Sequence, residues 1–187
     1  MDTDSQIDIL ESQLRELYGR VLWTHKTQEK CADIILKRHA RIKITQIVLA
    51  ALTTTGILVA VFGGNKIIGI ISAIISAILF GLNTYTKDYD LGEIAQKHSS
   101  AAADLWNVRE SYLSLITDLK AGRLLPDQIR DKREALQEDL YNIYNGAPRT
   151  ISKAYQEATK GLKIKEEMTF SNEEIDMLLP EELRKNK

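Results

Sequence analysis

This chain of 187 residues has almost no cysteine and almost no charge imbalance, and its first residues do not read as a signal peptide. Cys31 is the single cysteine, so an internal disulfide is impossible and the bulk of the chain is expected in a reducing compartment. The formal net charge is -1, which gives no electrostatic reason to expect a nucleic acid as direct partner. The N-terminus, MDTDSQIDILES, is acidic and lacks the basic and apolar regions of a signal peptide. If the protein reaches a membrane, internal segments must take it there.

Catalytic signatures are missing as well. Gly63-Gly64 lacks the strand and the Gly-Lys-Ser/Thr context of a phosphate-binding loop. No nucleophile elbow occurs, and no His-Glu pair stands at metal-binding spacing. Cys31 and His98 could share one level of a helical stalk, yet one thiol and one imidazole are too few ligands for zinc. His25 and His39 have no spacing that improves the case. The acid pairs Glu166-Glu167 and Glu173-Glu174 are expected to be solvated helix termini. The chain is therefore expected to be no enzyme, with no cofactor and no metal.

Charge is also missing locally, and here the sequence becomes informative. Lys66 is the only charged residue between Ile44 and Thr86. The uncharged runs number 22 residues, Ile44 to Asn65, and 20 residues, Ile67 to Thr86, where a helix crossing the hydrocarbon core needs about 20. Ten bulky apolar residues between Ile67 and Leu82 favour insertion by about 3 to 6 kcal/mol. The first run is the more marginal, because it carries Gln46 and Thr53, Thr54 and Thr55. Gly63, Gly64, Asn65 and Lys66 form the expected loop, with glycines for the reversal and Lys66 reaching the headgroups. Lys37, Arg38, Arg41, Lys43 and Lys87 outnumber Lys66, which predicts that both termini are cytoplasmic. The alternative is a buried hairpin in a soluble helical protein.

Around the second span, Gly69, Ser72, Ala73, Ser76, Ala77, Gly81 and Asn83 share one side, with Phe80 its only bulky member. Ile68, Ile71, Ile74, Ile75, Ile78, Leu79 and Leu82 take the other, expected to face lipid. Thr53, Gly56 and Ala60 form a less regular arc on the first span. Small residues let backbones approach where lipid supplies no hydrophobic drive. The two small faces either pack together within one chain or serve an oligomer that turns Ser72, Ser76 and Asn83 toward a lumen.

Outside the spans the pattern is helical throughout. Ile7, Leu10, Leu14, Leu17, Val21, Thr24, Gln28, Cys31, Ile35, Arg38 and Ile42 keep coiled-coil spacing before the first span. Leu91, Ile94, His98, Ala101, Leu105, Val108, Tyr112, Leu115 and Leu119 keep it after the second. Two long helices should thus prolong the hairpin as an antiparallel pair, with Gln28 and His98 as a polar layer. A break near Gly122 precedes a helix from Pro126 that buries Ile129, Leu136, Leu140 and Ile143. Pro148 is expected to open another, burying Ile151, Tyr155, Ala158 and Leu162, and Ser171 with Glu174 caps a short last one. The predicted fold is all-α: a cytoplasmic N-terminal helix over 1–43, a transmembrane hairpin over 44–86 with spans 44–62 and 67–86, and a cytoplasmic helical region over 87–187.

The segment HKTQEKCADIILKRHARIKITQIVLAALTTTGILVAVFG, the small-residue span, NTYTKDYDLGEIAQKHSSAAADLWNVRESYLSLITDL and EEMTFSNEEIDMLLPEELR together resemble the SLATT family of bacterial two-span proteins. The resemblance implies an oligomeric effector of the bacterial inner membrane that permeabilises it in anti-phage abortive infection. It also implies a trigger, either a nucleotide second messenger or a neighbouring defence protein such as a nucleotidyltransferase, a SLOG-type sensor or a reverse transcriptase. The alternative is a non-conducting, membrane-anchored scaffold that recruits a partner enzyme or sensor.

Overall fold

The computed structural model describes residues 3–185, and among them there is helix and no strand. Helix α1 runs unbroken from Thr3 to Gly63, which at 1.5 Å per residue is about 90 Å. It thus combines the expected N-terminal helix and first span in one rod. Helix α2 spans Lys66–Asp88, α3 Leu91–Lys120, α4 Pro126–Gly146, α5 Ser152–Lys163 and α6 Asn172–Leu178, with a 3₁₀ turn at Glu181–Leu183.

The reversal between α1 and α2 is shorter than the four-residue loop expected. Only Gly64 and Asn65 lie outside helix, and Lys66 is already the first residue of α2. Gly64 takes φ +64°, which favours glycine. The Asn65 carboxamide oxygen accepts from the Ile67 and Ile68 amides and so caps α2. Between α2 and α3 the chain merely kinks at Tyr89 and Asp90, and the Asp90 carboxylate caps α3 through the Glu93 amide.

One antiparallel register therefore holds along the whole rod. Ala60 meets Gly69, Gly56 meets Ser72, Gln46 meets Asn83, and further in Gln28 meets His98 and Glu11 meets Lys120. The α3 seam is buried at every expected position except Ile94, which is half-buried. On α1, Leu10, Leu14, Val21, Gln28 and Cys31 are buried, whereas Arg38 points outward and donates to the Tyr85 hydroxyl at 3.3 Å. At the membrane-distal end Leu10, Leu14, Val21, Leu105, Val108, Tyr112, Leu115, Leu119, Ile129 and Leu140 form one core between α1, α3 and α4. Helix α3 ends where expected, with Gly122 at φ +65° and its amide bonded to the Leu119 carbonyl.

Helix α5 departs from expectation. Pro148 does not open it; the chain remains extended until the cap at Ile151. Its buried face is Ala154, Ala158 and Gly161, while Tyr155 and Ile151 are exposed. Small side chains let α5 lie close along α1, and the Tyr155 ring instead rests 5.8 Å from that of Trp23.

The most apolar 18-residue stretch of each long helix is only 6% buried. Phe62 is 84% exposed and Ile67 70%. A soluble protein would not leave two helices of this length bare of partners, so the buried-hairpin alternative fails for this chain.

Candidate functional site: the membrane hairpin

The contact between α1 and α2 is a mixed seam rather than two small faces. From α2 it takes Ile68, Gly69, Ser72, Ile75, Leu79, Leu82 and Thr86, and from α1 Gln46, Leu49, Thr53, Gly56 and Ala60, all buried or half-buried. Four isoleucine and leucine positions expected to face lipid, Ile68, Ile75, Leu79 and Leu82, thus lie partly against α1. The cause is continuity: their spacing of four and three prolongs the coiled-coil register of the stalk into the bilayer.

The tightest point is Gly56 against Ser72. A Cβ at Gly56 would overlap the Ser72 Oγ and sit 3.3 Å from its Cβ. Nearby, a Cβ at Gly69 would lie 3.4 Å from the Ala60 Cβ, an ordinary contact. The Ser72 hydroxyl donates to the Ile68 carbonyl at 2.9 Å, and Thr53 and Thr54 donate to Leu49 and Ala50 at 2.8 and 3.0 Å. Each hydroxyl is satisfied within its own helix, which a dry environment requires.

At the stalk end of the hairpin Gln46, which the sequence marked only as a liability, is buried and bridges the helices. Its Nε2 donates to Asn83 Oδ1 at 2.9 Å and to Thr86 Oγ1 at 3.0 Å. Gln46 and Asn83 are each 18 residues from the Gly64-Asn65 turn. Counting outward from the turn would have paired them.

The expected packing or lining residues therefore divide. Thr53, Gly56, Ala60, Gly69, Ser72 and Asn83 meet at the hairpin. Ala73, Ser76, Ala77, Phe80 and Gly81 do not: all five are exposed on one flank of α2. Ile71, Ile74 and Ile78 form the neighbouring stripe, also exposed, with Ile71 furthest from Ala77, about 120° around the helix.

In the stalk, the Gln28 and His98 layer is a structural tie. His98 Nδ1 lies 2.5 Å from Gln28 Oε1; a carboxamide oxygen only accepts, so the proton is on Nδ1. Gln28 Nε2 donates to the Pro148 carbonyl at 3.3 Å. The Cys31 thiol, buried and hydrogen-bonded to the Ile151 backbone, is pushed above its usual pKa by burial. This layer fastens the chain before α5 to the stalk. His98 titrates below its ordinary value because burial disfavours the imidazolium. Among the described residues no group of three metal-ligating side chains occurs.

His25, assigned no role from its spacing, is buried: Arg109 Nη1 donates to its Nδ1 at 3.3 Å, and its Nε2 is 3.5 Å from Glu29. The hydrogen bond from His25, with a further one from Lys26, holds the Glu29 pKa down at about 2. Glu167 is no idle helix terminus but pairs with Lys26 at 3.1 Å and Lys30 at 3.2 Å.

Comparison with known families fits this architecture. The SMODS and SLOG-associating 2TM effector domain family 4 matches residues 10–174. The chain belongs to the SLATT family. A SLATT domain is a two-span membrane effector domain of conflict systems, and both spans, the seam and all but the first two turns of the stalk of this protein fall inside the matched region. No curated protein and no solved structure matches the chain significantly.

Proposed function

We propose that this SLATT protein is an oligomeric effector of the bacterial inner membrane that permeabilises it in anti-phage abortive infection, with both termini cytoplasmic. One observation carries the proposal. After the hairpin has closed, Ala73, Ser76, Ala77 and Gly81 are left on an uncovered flank of α2. Lipid gains nothing from meeting alanine and glycine in place of isoleucine, whereas a second helix gains a close approach. Two helices enclose no lumen, so conduction requires several hairpins side by side. In the resting chain the stalk holds the spans apart from their neighbours; a nucleotide or a neighbouring defence protein then shifts the population toward the assembly. The basic residues Lys37, Arg38, Arg41, Lys43 and Lys87 at the stalk end support the orientation.

A non-conducting scaffold is the second reading, favoured by the Gln46–Asn83 hydrogen bond that ties the two helices and by the Thr53 and Ser72 hydroxyls, which donate within their own helices and need no water-filled lumen. Expression alone in cells carrying a potential-sensitive dye, together with dye release from liposomes, separates the two. Depolarisation and release support the pore; intact potential and sealed liposomes under every trigger tried refute it.

A further inference from the structure

Between α1 and α3, on the stalk, lies a cavity of about 650 Å³, a volume typical of small-molecule sites. Lys26, Lys30 and Arg109 line it, together with buried His25, the carboxylates of Glu29 and Asp33 and the half-exposed ring of Trp106. The lysine and arginine side chains are held close: 11% exposed for Lys26, 23% for Lys30 and 13% for Arg109.

Carboxylates of the chain itself meet these cations: Glu29 pairs with Lys26 at 3.0 Å and Glu110 with Arg109 at 2.6 Å, and Glu167 alone meets both lysines. After α5, Glu166 adopts φ 52°, an uncommon conformation for a residue other than glycine. The turn drops Glu167 onto Lys26 and Lys30 and sets Met168 Sδ 3.4 Å from Arg109 Nη1. Gly161 makes room for it, since a Cβ there would lie 2.9 Å from Glu167 Oε2. A single carboxylate bridging two lysines at the rim of an open cavity occupies the position that a ligand's phosphate oxygen would take.

We propose that this cavity binds a nucleotide, its phosphate held by Lys26 and Lys30, its base stacked on Trp106, and Glu167 displaced as the resident counter-ion. The planar ring at the wall selects a base in addition to a phosphate. A lipid headgroup is the wrong source of that phosphate. Lys26 and Lys30 stand 18 and 14 residues before Ile44, which places them about 20 to 27 Å along the helix from the bilayer. Displacing Glu167 frees the strap that leads to α6, so the site is suited to deliver a trigger. That consequence rests on the effector function proposed above; binding itself does not, and is measured without conduction.

The full chain carrying Trp23→Phe has Trp106 as its only tryptophan and is titrated in nanodiscs with ATP, GTP and NAD. At least one of them should quench Trp106 fluorescence saturably, with adenosine and inorganic triphosphate each about ten-fold weaker or more. Lys26→Gln and Lys30→Gln should each weaken that binding about ten-fold, with unchanged helical circular dichroism. Glu167→Gln, in contrast, should tighten it about five- to ten-fold, which a merely structural ion pair would not do. Absence of saturable quenching by all three nucleotides up to millimolar concentration overturns the proposal. So does a Glu167→Gln variant that binds equally or more weakly. Quenching by phosphatidylglycerol nanodiscs without nucleotide would assign the site to lipid and overturn it too.

Discussion

Gly56 is the position where a single methyl group should open the hairpin. Its added Cβ overlaps Ser72 Oγ and approaches Ser72 Cβ to 3.3 Å. Rotating the Ser72 hydroxyl away breaks its bond to the Ile68 carbonyl, at 2.9 Å, and still leaves the two Cβ atoms crowded. Alternatively α2 withdraws, which loosens Ile68, Ile75 and Leu79 and stretches the Gln46 bonds of 2.9 and 3.0 Å. Overpacking of this kind costs about 1 to 3 kcal/mol, and a weakened interhelical hydrogen bond adds about 0.6 kcal/mol. The gain in helix propensity from glycine to alanine offsets about 1 kcal/mol, leaving a net destabilisation of about 0.6 to 2.6 kcal/mol. The assay uses the neighbouring contact. With Cys31 replaced by Ala, the pair Ala60→Cys and Gly69→Cys places two Cβ atoms 3.4 Å apart, close to disulfide geometry. The intramolecular bond should form readily, Gly56→Ala should slow it about three-fold or more, and adding Ser72→Gly should restore it. An unchanged rate in Gly56→Ala, or no rescue by Ser72→Gly, refutes the packing argument.

Ala77→Leu or Ala73→Leu should abolish or strongly reduce growth arrest, and in the Ala60→Cys, Gly69→Cys background should leave the intramolecular disulfide intact, because both alanines lie off the seam; Ile74→Leu, on the neighbouring isoleucine stripe, should match the wild type in the same plating assay. Acidification should destabilise the stalk in two windows. The folded-state pKa of His98 lies below the unfolded value, so the unfolded chain binds the extra proton and stability falls as pH drops below about 6.5. Glu29, held at about 2 against an ordinary 4.5, contributes stability that is present above 4.5 and lost as pH falls toward 2. Thermal melts followed by circular dichroism should show the first window vanish in His98→Gln, which keeps a donor for Gln28, and the second persist.

The coiled-coil spacing of α3 was legible to the residue, because one buried face of a long helix leaves an apolar or small side chain at every third and fourth position. The two spans and the Gly64 turn were equally plain. The facing of α2 was not, since sorting its residues by size separates glycine, alanine and serine from isoleucine, whereas the chain keeps the stalk register through the bilayer. Extending the series from Ile42 through Gln46, Leu49, Thr53, Gly56 and Ala60 would have found the seam, with one step of four in place of three at Gln46. The α5 face escaped because alanine and glycine give a weak hydrophobic signal, although closeness of approach is what buries Ala154, Ala158 and Gly161. Contacts between distant segments, such as Glu167 on Lys26 and Lys30, leave no local trace in a sequence at all.

The oligomeric face of α2 is tested most directly by disulfide crosslinking in native membranes. With Cys31 replaced by Ala, an Ala77→Cys chain should form a disulfide-linked pair of copies on mild oxidation, and an Ile71→Cys chain, about 120° around the helix, should remain a single copy. Equal crosslinking at both positions, or none at Ala77→Cys while Ile71→Cys pairs efficiently, would contradict an assembly built on the small-residue flank.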